Sequence, residues 1–297
     1  MKKVKLIYNP KSGNKTFPNY LDTFIKKFHR EGYETNIFRS NQKGDLSNSL
    51  KNINEDYEAI IIAGGDGSVN TIVNQIMKKN IDIPLGIIPA GTVNDFANYL
   101  NMPSNFNRCI EVLLNNNYQQ VDIGQVNNRF FINVCVGGLL SSVSHNTDVN
   151  FKNKLGKIAY YINGLKEIPK VKPIHLQIST SYQTFEEELY MFLVLNSKRA
   201  GGFTNLAQRA EIDDGVFDFI GVKASQIYKI PNLLYDFFQG NHLSSKHFIY
   251  IQDRYFNIEP LNQKNYSHFS DLDGEKGPQL PLEIKIHPRA LTLITNL

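Results

Sequence analysis

Cys109 and Cys135 are the only cysteines, and neither stands in a CxxC or Cys/His pattern. That excludes a disulfide framework and a zinc site. Their apolar contexts read as buried free thiols in a reducing compartment. The seven histidines are scattered without metal-ligand spacing. No apolar run reaches the ~18 residues of a membrane-spanning helix. The start, MKKVKLIYNP, is basic and then apolar. It is too short in its apolar part for a signal peptide and has no cleavage site, so it reads as a first strand and the protein as cytoplasmic. Basic runs are missing too, and a net charge of +4 is mild. This argues against nucleic acid as a partner and allows attraction to anionic lipid. Internal repeats, low-complexity tracts and long linkers are absent.

What is present is globular. The chain has 297 residues, 41% hydrophobic and 20% charged, which is enough for two cores. Val4–Tyr8, Glu34–Arg39, Ala59–Ala63 and Leu85–Ile88 read as strands. Between them, Phe17, Leu21, Phe24 and Phe28, then Val69, Ile72, Val73 and Ile76, recur at helical spacing. Strands alternating with helices imply a doubly wound parallel sheet over roughly the first 120 residues. The pattern changes near Val121. VDIGQV, the pair Asn127–Asn128 and RFFINVCV read as a β-hairpin. HLQIST, LYMFLVL, FDFIGV, FIYIQ and PLEIKIH continue as strands, with helical inserts at 155–168 and 226–238. The expected fold is therefore α/β followed by a β-sandwich or open barrel.

The stretch AIIIAGGDGSVNTIV (59–73) ends a strand on Gly64, Gly65 and Gly67 and enters a helix. Missing side chains let backbone N–H groups approach an anion, and a helix N-terminus favours negative charge. A phosphate is the natural guest. SGNKT (12–16) fails the P-loop spacing, and the glycines follow the third strand rather than the first, so neither common nucleotide fingerprint applies. Asp66 would repel phosphate unless it holds Mg²⁺ or water on Mg²⁺. PAGTVNDFA (89–97) repeats the design with Gly91, Thr92, Asn94 and Asp95, where Asn94 or Asp95 also reads as a helix N-cap. Asn9–Gly13 supplies a third polar loop on the same sheet edge.

GGDGS (64–68) with PAGTVNDFA resembles the soluble bacterial diacylglycerol kinase-like lipid kinases. These are relatives of sphingosine kinases and, in the fold of the first domain, of NAD kinases. The likeness covers the whole chain: NPKSG (9–13), VDIG (121–124), Asn196 with Gly201–Gly202, DDGVFD (213–218) and LDGE (272–275). It implies an ATP-binding domain over 1–122 plus about 288–297, with the final ALTLIT segment (290–295) returning to it, and a lipid-binding domain over 123–287. It implies ATP- and Mg²⁺-dependent phosphorylation of a lipid hydroxyl. ATP would touch Asn9, Pro10, Lys11, Ser12, Gly13, Ser40, Gly65, Asp66, Gly67, Ser68, Val69, Asn70, Thr71 and Thr92. Glu275 would be the catalytic base, with Asp66 and Asp95 beside the Mg²⁺ of the nucleotide. A structural Mg²⁺ would sit on the Asp214 carboxylate and the backbone carbonyls of Glu211 and Val216. A peripheral place at the inner face of the membrane is implied, and a homodimer is left open. Ser68 stands where threonine is usual, and Thr71 where the family has glutamate. Diacylglycerol, giving phosphatidic acid, is the expected acceptor; a sphingoid base, a monoacylglycerol and a prenol are the alternatives, as is a non-catalytic nucleotide or lipid sensor.

From the residues alone, Asp271, Asp273 and Glu275 alternate, so an extended chain would put them on one face, where they would be costly unless solvated, protonated or facing a cation. The competing reading is an Asp-Gly hairpin turn with solvated acids. DDG (213–215) alone is likewise a turn. Between Lys152 and Lys172, six lysines (152, 154, 157, 166, 170 and 172) face one acid, Glu167, with Ile158, Tyr160, Tyr161, Ile162 and Leu165 among them. Such a helix suits a membrane interface or an ordinary solvated face.

Overall fold

Strands whose residues are apolar on both faces need cover on both faces, and the sequence meets that need differently in its two parts. The structure, a computed structural model, describes residues 2–41, 44–138, 172–203, 206–226, 230–238, 240–261 and 269–297. The 155–168 insert and all of the 152–172 segment except Lys172 lie outside the described residues. Two compact units emerge, residues 1–123 with 288–297, and residues 124–287.

In unit 1 the strands are β1 (Lys2–Tyr8), β2 (Tyr33–Arg39), β3 (Tyr57–Gly64) and β4 (Leu85–Pro89). Their order is β2-β1-β3-β4, all parallel. The helices are α1 (Leu21–Arg30), α2 (Asp66–Lys79), α3 (Asp95–Tyr99) and α4 (Phe106–Leu114). Phe24 and Phe28 of α1, which lies against β2, and Ile72, Val73 and Ile76 of α2, which lies against β3, are buried stripes, and Ile60–Ile62 of β3 and Ile87–Ile88 of β4 are buried with them. Two helices, α3 and α4, follow β4, and they are separated where Asn101 adopts φ 53° and Pro103 comes two residues later. In this strand order the crossover direction reverses between β1 and β3, which makes their carboxyl ends the place for a ligand.

Unit 2 takes up the chain within β5 (Tyr118–Val126) and returns it within β15 (Leu282–Ile294). At its far end β15 pairs parallel with β4, Leu293 opposite Leu85. Inside unit 2, β7 (Val134–Gly138), β10 (Phe217–Lys223), β11 (Phe248–Asp253), β13 (Phe269–Leu272) and β14 (Glu275–Gln279) form one sheet around the second half of β9 (Thr184–Leu195). The first half of β9 joins β8 (Ile174–Ser179), β12 (Tyr255–Pro260) and β15 in another. All these pairings are antiparallel, and the two sheets make a sandwich. Phe192 and Val194 face a core shared with Ile178, Phe217, Phe219, Phe256 and Ile284. Leu193 and Leu195 face a second core under α5 (Ile230–Phe238), with Leu206, Ile230, Leu233, Phe237 and Phe248. Both faces of this half-strand are buried, so LYMFLVL reads as an unbroken apolar run.

RFFINVCV departs from expectation. The hairpin forms, with Gly124 opposite Phe131, but β6 (Arg129–Phe131) stops after three residues and β7 begins at Val134. The break has a cause in a distant carboxylate. Asp273 accepts hydrogen bonds from the backbone N–H groups of Ile132 (2.8 Å), Asn133 (3.0 Å) and Val134 (2.9 Å).

Candidate active site

The glycine stretch is not a loop. Gly64 is the last residue of β3, Asp66 is the first of α2, and the whole connection is Gly65, extended at φ −94°, ψ −179°. What holds it is the neighbouring strand end. The Ala90 N–H donates to Gly64 O at 3.0 Å. A Cβ on Gly91 would lie 2.3 Å from Gly65 Cα. The two backbones touch, so Gly91 has no room for a side chain, and a Cβ on Gly65 would sit tightly at 3.1 Å from Gly91 Cα. The first loop joins them, since a Cβ on Gly13, at φ +49°, would lie 2.5 Å from Ala90 O. Asn9 N–H donates to Ala63 O at 3.1 Å, and its Oδ1 accepts from Lys11 N at 3.0 Å. Ser40, buried at the end of β2, donates its N–H to Tyr8 O at 3.0 Å. Four strand ends of unit 1 thus present one continuous surface of main chain.

The side chains around it sort into two kinds. Asp66 is half-buried at the first turn of α2, and Asp95 is buried at the start of α3. Pro10 and Ser12 are half-buried, and Lys11, Gly13 and Thr92 are exposed. Ser68, Val69 and Asn70 are instead buried in unit 1. The Ser68 and Val69 N–H groups both donate to Gly65 O. The Thr71 hydroxyl donates to Gly67 O at 2.9 Å, so it turns back onto its own helix. Asn94 is the residue before α3, in the left-handed region at φ 54°, but it does not cap the helix with its side chain. It folds back on Gly91 instead, accepting from Gly91 N at 2.8 Å and donating to Gly91 O at 2.9 Å.

In unit 2 the three motifs singled out from sequence meet at one end of one sheet. Leu195 lies opposite both Val134 and Asp218, and Cys135 opposite Leu272. The residues just beyond those pairs are Asn133, Asn196, the 211–216 turn and the 273–275 turn. The alternation of Asp271, Asp273 and Glu275 does not survive folding. Asp273 and Gly274 have φ 53° and 86°, and Leu272 pairs with Glu275. That is a two-residue hairpin turn, which demands positive φ at both central positions. Asp271 and Asp273 are buried and Glu275 is exposed. Asp271 accepts from Gly274 N at 2.7 Å. Asp273 is the anchor of the β6–β7 break. Sequence reasoning saw the turn and missed this anchor, because its partners lie about 140 residues away.

The same carboxylate reaches further. Asn133, whose N–H it holds, accepts from the Ser197 hydroxyl at 2.6 Å and donates to Arg199 O at 2.8 Å. Asn196 donates to Ile132 O at 2.9 Å. Along the 211–216 turn, Asp214 is exposed and accepts from Val216 N at 3.0 Å, while Glu211 pairs with Lys198 at 2.7 Å. Asp218 is fully buried, and its Oδ2 has no hydrogen-bond partner. Burial pushes its carboxyl up to about 6, partly offset by a hydrogen bond from the Tyr250 hydroxyl, and the charge of Asp214 adds to the rise. Both cysteines are buried and free. Burial pushes the Cys109 thiol up to about 12 and raises Cys135 well above its ordinary value, so both thiols are inert.

An α/β unit with a glycine-built main-chain surface at its strand ends, and in the same chain a sandwich that exposes a glutamate from a tight turn, have known counterparts. The profile of the diacylglycerol kinase catalytic domain matches residues 3–126. That of the YegS C-terminal NAD kinase beta sandwich-like domain matches residues 134–295. The diacylglycerol kinase of Staphylococcus haemolyticus (strain JCSC1435) is 35% identical over 293 residues, covering 97% of this chain and 88% of that protein. The chain belongs to the diacylglycerol kinase family. The diacylglycerol kinase of Bacillus subtilis (strain 168) is 32% identical over 285 residues, covering 95% of this chain and 93% of that protein. A crystal structure of a diacylglycerol kinase from Bacillus anthracis str. Sterne superposes with a TM-score of 0.80 at 26% identity, over 99% of this chain and 97% of that one. The protein is therefore a kinase, with ATP as co-substrate. No helix among the described residues is long and apolar enough to cross a membrane.

Proposed function

We propose that this kinase transfers the γ-phosphoryl group of magnesium-bound ATP to the free hydroxyl of diacylglycerol, giving phosphatidic acid. The observation that carries the reading is the contact of Gly65 with Gly91 at the N-terminus of α2. It clears side chains from a helix end where main-chain N–H groups and the helix dipole favour phosphate. Because Ser68 and Val69 spend their N–H groups on Gly65 O, the nucleotide would draw its amides from 65–67, with Asn9–Gly13, Ser40 and Thr92 around it. The domain division follows: residues 1–122 with about 288–297 hold ATP, and 123–287 hold lipid.

Glu275 takes the proton of the lipid hydroxyl as that oxygen attacks the γ-phosphorus in line. Its exposure keeps it reachable, and the Asp273–Gly274 turn keeps it in place. Asp66 and Asp95 would hold the nucleotide's magnesium, which would offset charge on the transferring phosphoryl. Most of the rate then comes from positioning and electrostatics. The second magnesium fits the 211–216 turn on chemical grounds. Magnesium takes oxygen ligands and keeps several waters, so one carboxylate, Asp214, with the carbonyls of Glu211 and Val216 suffices. A cation there would also answer the unpartnered Oδ2 of buried Asp218. The enzyme works peripherally at the inner face of the membrane, as a monomer or homodimer.

The test is transfer of labelled phosphate from ATP to a panel of acceptors in mixed micelles: diacylglycerol, monoacylglycerol, a sphingoid base, a prenol and, without micelles, NAD. Label in phosphatidic acid is expected. Label in another lipid would correct the substrate, and label in NAD or none would overturn the reading.

A further inference from the structure

Arg199 stands at the same sheet end as Glu275 and uses its guanidinium for nothing the structure shows. Its Nε is buried without a hydrogen-bond partner, although the residue as a whole is half-buried. Its neighbours in charge are engaged: Lys198 pairs with Glu211, and Arg209 stacks over the Tyr250 ring at 5.6 Å. A buried donor without an acceptor is destabilising and calls for an explanation.

The backbone of Arg199, by contrast, is heavily tied. Its carbonyl accepts from Asn133 Nδ2 at 2.8 Å and from the Ser197 hydroxyl at 3.1 Å, and its N–H donates to Ser197 Oγ at 3.3 Å. Asn133 is in turn held by Asp273, two residues before Glu275. Asn133, Ser197 and Asp273 are all buried. One chain of hydrogen bonds therefore fixes the loop of Arg199 to the turn of Glu275 within unit 2.

We propose that Arg199 is the phosphate-binding residue of the acceptor site, taking the phosphate monoester that the lipid carries once it has been phosphorylated. The inference rests on the function proposed above. The new phosphate forms at the oxygen that Glu275 deprotonates, at a sheet end that also carries Asp214 and Asp218. An anion placed among carboxylates needs a cation, and a planar, permanently charged fork suits phosphate oxygens. The network from Asp273 fixes the backbone from which the Arg199 side chain extends.

The experiment is titration calorimetry of Arg199→Gln and Arg199→Lys with dioctanoyl phosphatidate, dioctanoylglycerol and ATP, beside thermal melts. Arg199→Gln is expected to bind the phosphatidate about tenfold more weakly or worse, the scale of one charge-assisted contact. Its affinities for dioctanoylglycerol and ATP are expected to stay within about twofold. Arg199→Lys, which keeps the charge and the stem and loses the fork, should fall between the two and covers the case in which the glutamine variant melts early. Phosphatidate affinity unchanged in both variants overturns the proposal. So does an equal loss for dioctanoylglycerol, and so does a loss that falls on ATP. A wild-type enzyme that fails to phosphorylate diacylglycerol overturns the function proposed above instead, and the binding titration still reads Arg199.

Discussion

In unit 1 the candidate site is made of main chain, and in unit 2 of side chains. Gly13, Gly65 and Gly91 pack backbone against backbone, leaving amides and a few acids at the strand ends. In unit 2 the working surface is set by carboxylates that fold the chain around themselves: Asp273 gathers three backbone N–H groups, and Asp271 closes the hairpin turn. Under the function proposed above, the difference follows from the tasks. Phosphates are best met by many small donors whose approach no side chain blocks. A proton acceptor must be a single side chain whose position is fixed by what lies behind it. The two halves should therefore fail differently when damaged.

The largest expected effect outside the reacting groups is that of Asp273→Ala. Three buried N–H groups lose their acceptor, at a cost on the order of 4 kcal/mol. Unit 2 should melt first in a calorimetric scan, and turnover should fall although Glu275 is untouched. An unchanged melt would mean that the β6–β7 break is held by something else. Gly91→Ala tests the other material. Its methyl group would meet Gly65, and overpacking of this kind costs about 1–3 kcal/mol. The KM for ATP should rise at least ~10-fold while the KM for lipid stays put; a rise in the lipid KM alone would break the assignment of units to substrates.

Magnesium separates the halves again. Saturating metal should stabilise the wild-type protein by about 2–3 kcal/mol, the linkage expected near 100 times the dissociation constant. Asp214→Ala should lose that shift in the melting temperature, and Asp66→Ala should keep it while binding Mg·ATP more weakly. The reverse pattern would exchange their roles. The smallest effect belongs to His242, buried against Phe237 and Phe248. Burial lowers its pKa below the ordinary 6.5, so the folded state holds the ring neutral and the unfolded state takes up the proton first. Stability contributed this way is present above pH 6.5 and is lost as pH falls below it. The wild-type protein should melt lower at pH 5 than at pH 8, and His242→Phe should narrow the gap.

The strands and helices of unit 1 were legible because both of its signals are local. Apolar runs such as Ile60–Ile62 mark buried parallel strands, and glycines at 64, 65, 67 and 91 mark close approaches. What looked like a loop at 64–67 was one residue, since a helix can begin on Asp66 once Gly65 needs no room. Unit 2 was harder. Its strands β12, β13 and β14 are short or mostly polar, as EKGPQ in β14 illustrates, and no periodicity announces them. The RFFINVCV break depends on a carboxylate far along the chain, which no window of sequence contains. The same holds for Arg199, whose interest lies in the partner its side chain lacks.

Glu275→Gln tests the central claim most directly, because it exchanges a base for an amide of the same shape at an exposed position where little packing is at stake. ATP affinity by calorimetry and transfer of labelled phosphate to diacylglycerol should be measured on the same preparation. The account predicts ATP binding within about twofold of wild type and transfer reduced at least ~10²-fold, as removal of a general base requires. Transfer near the wild-type rate, or ATP binding lost along with it, would contradict the division between a main-chain nucleotide site and a side-chain acceptor site.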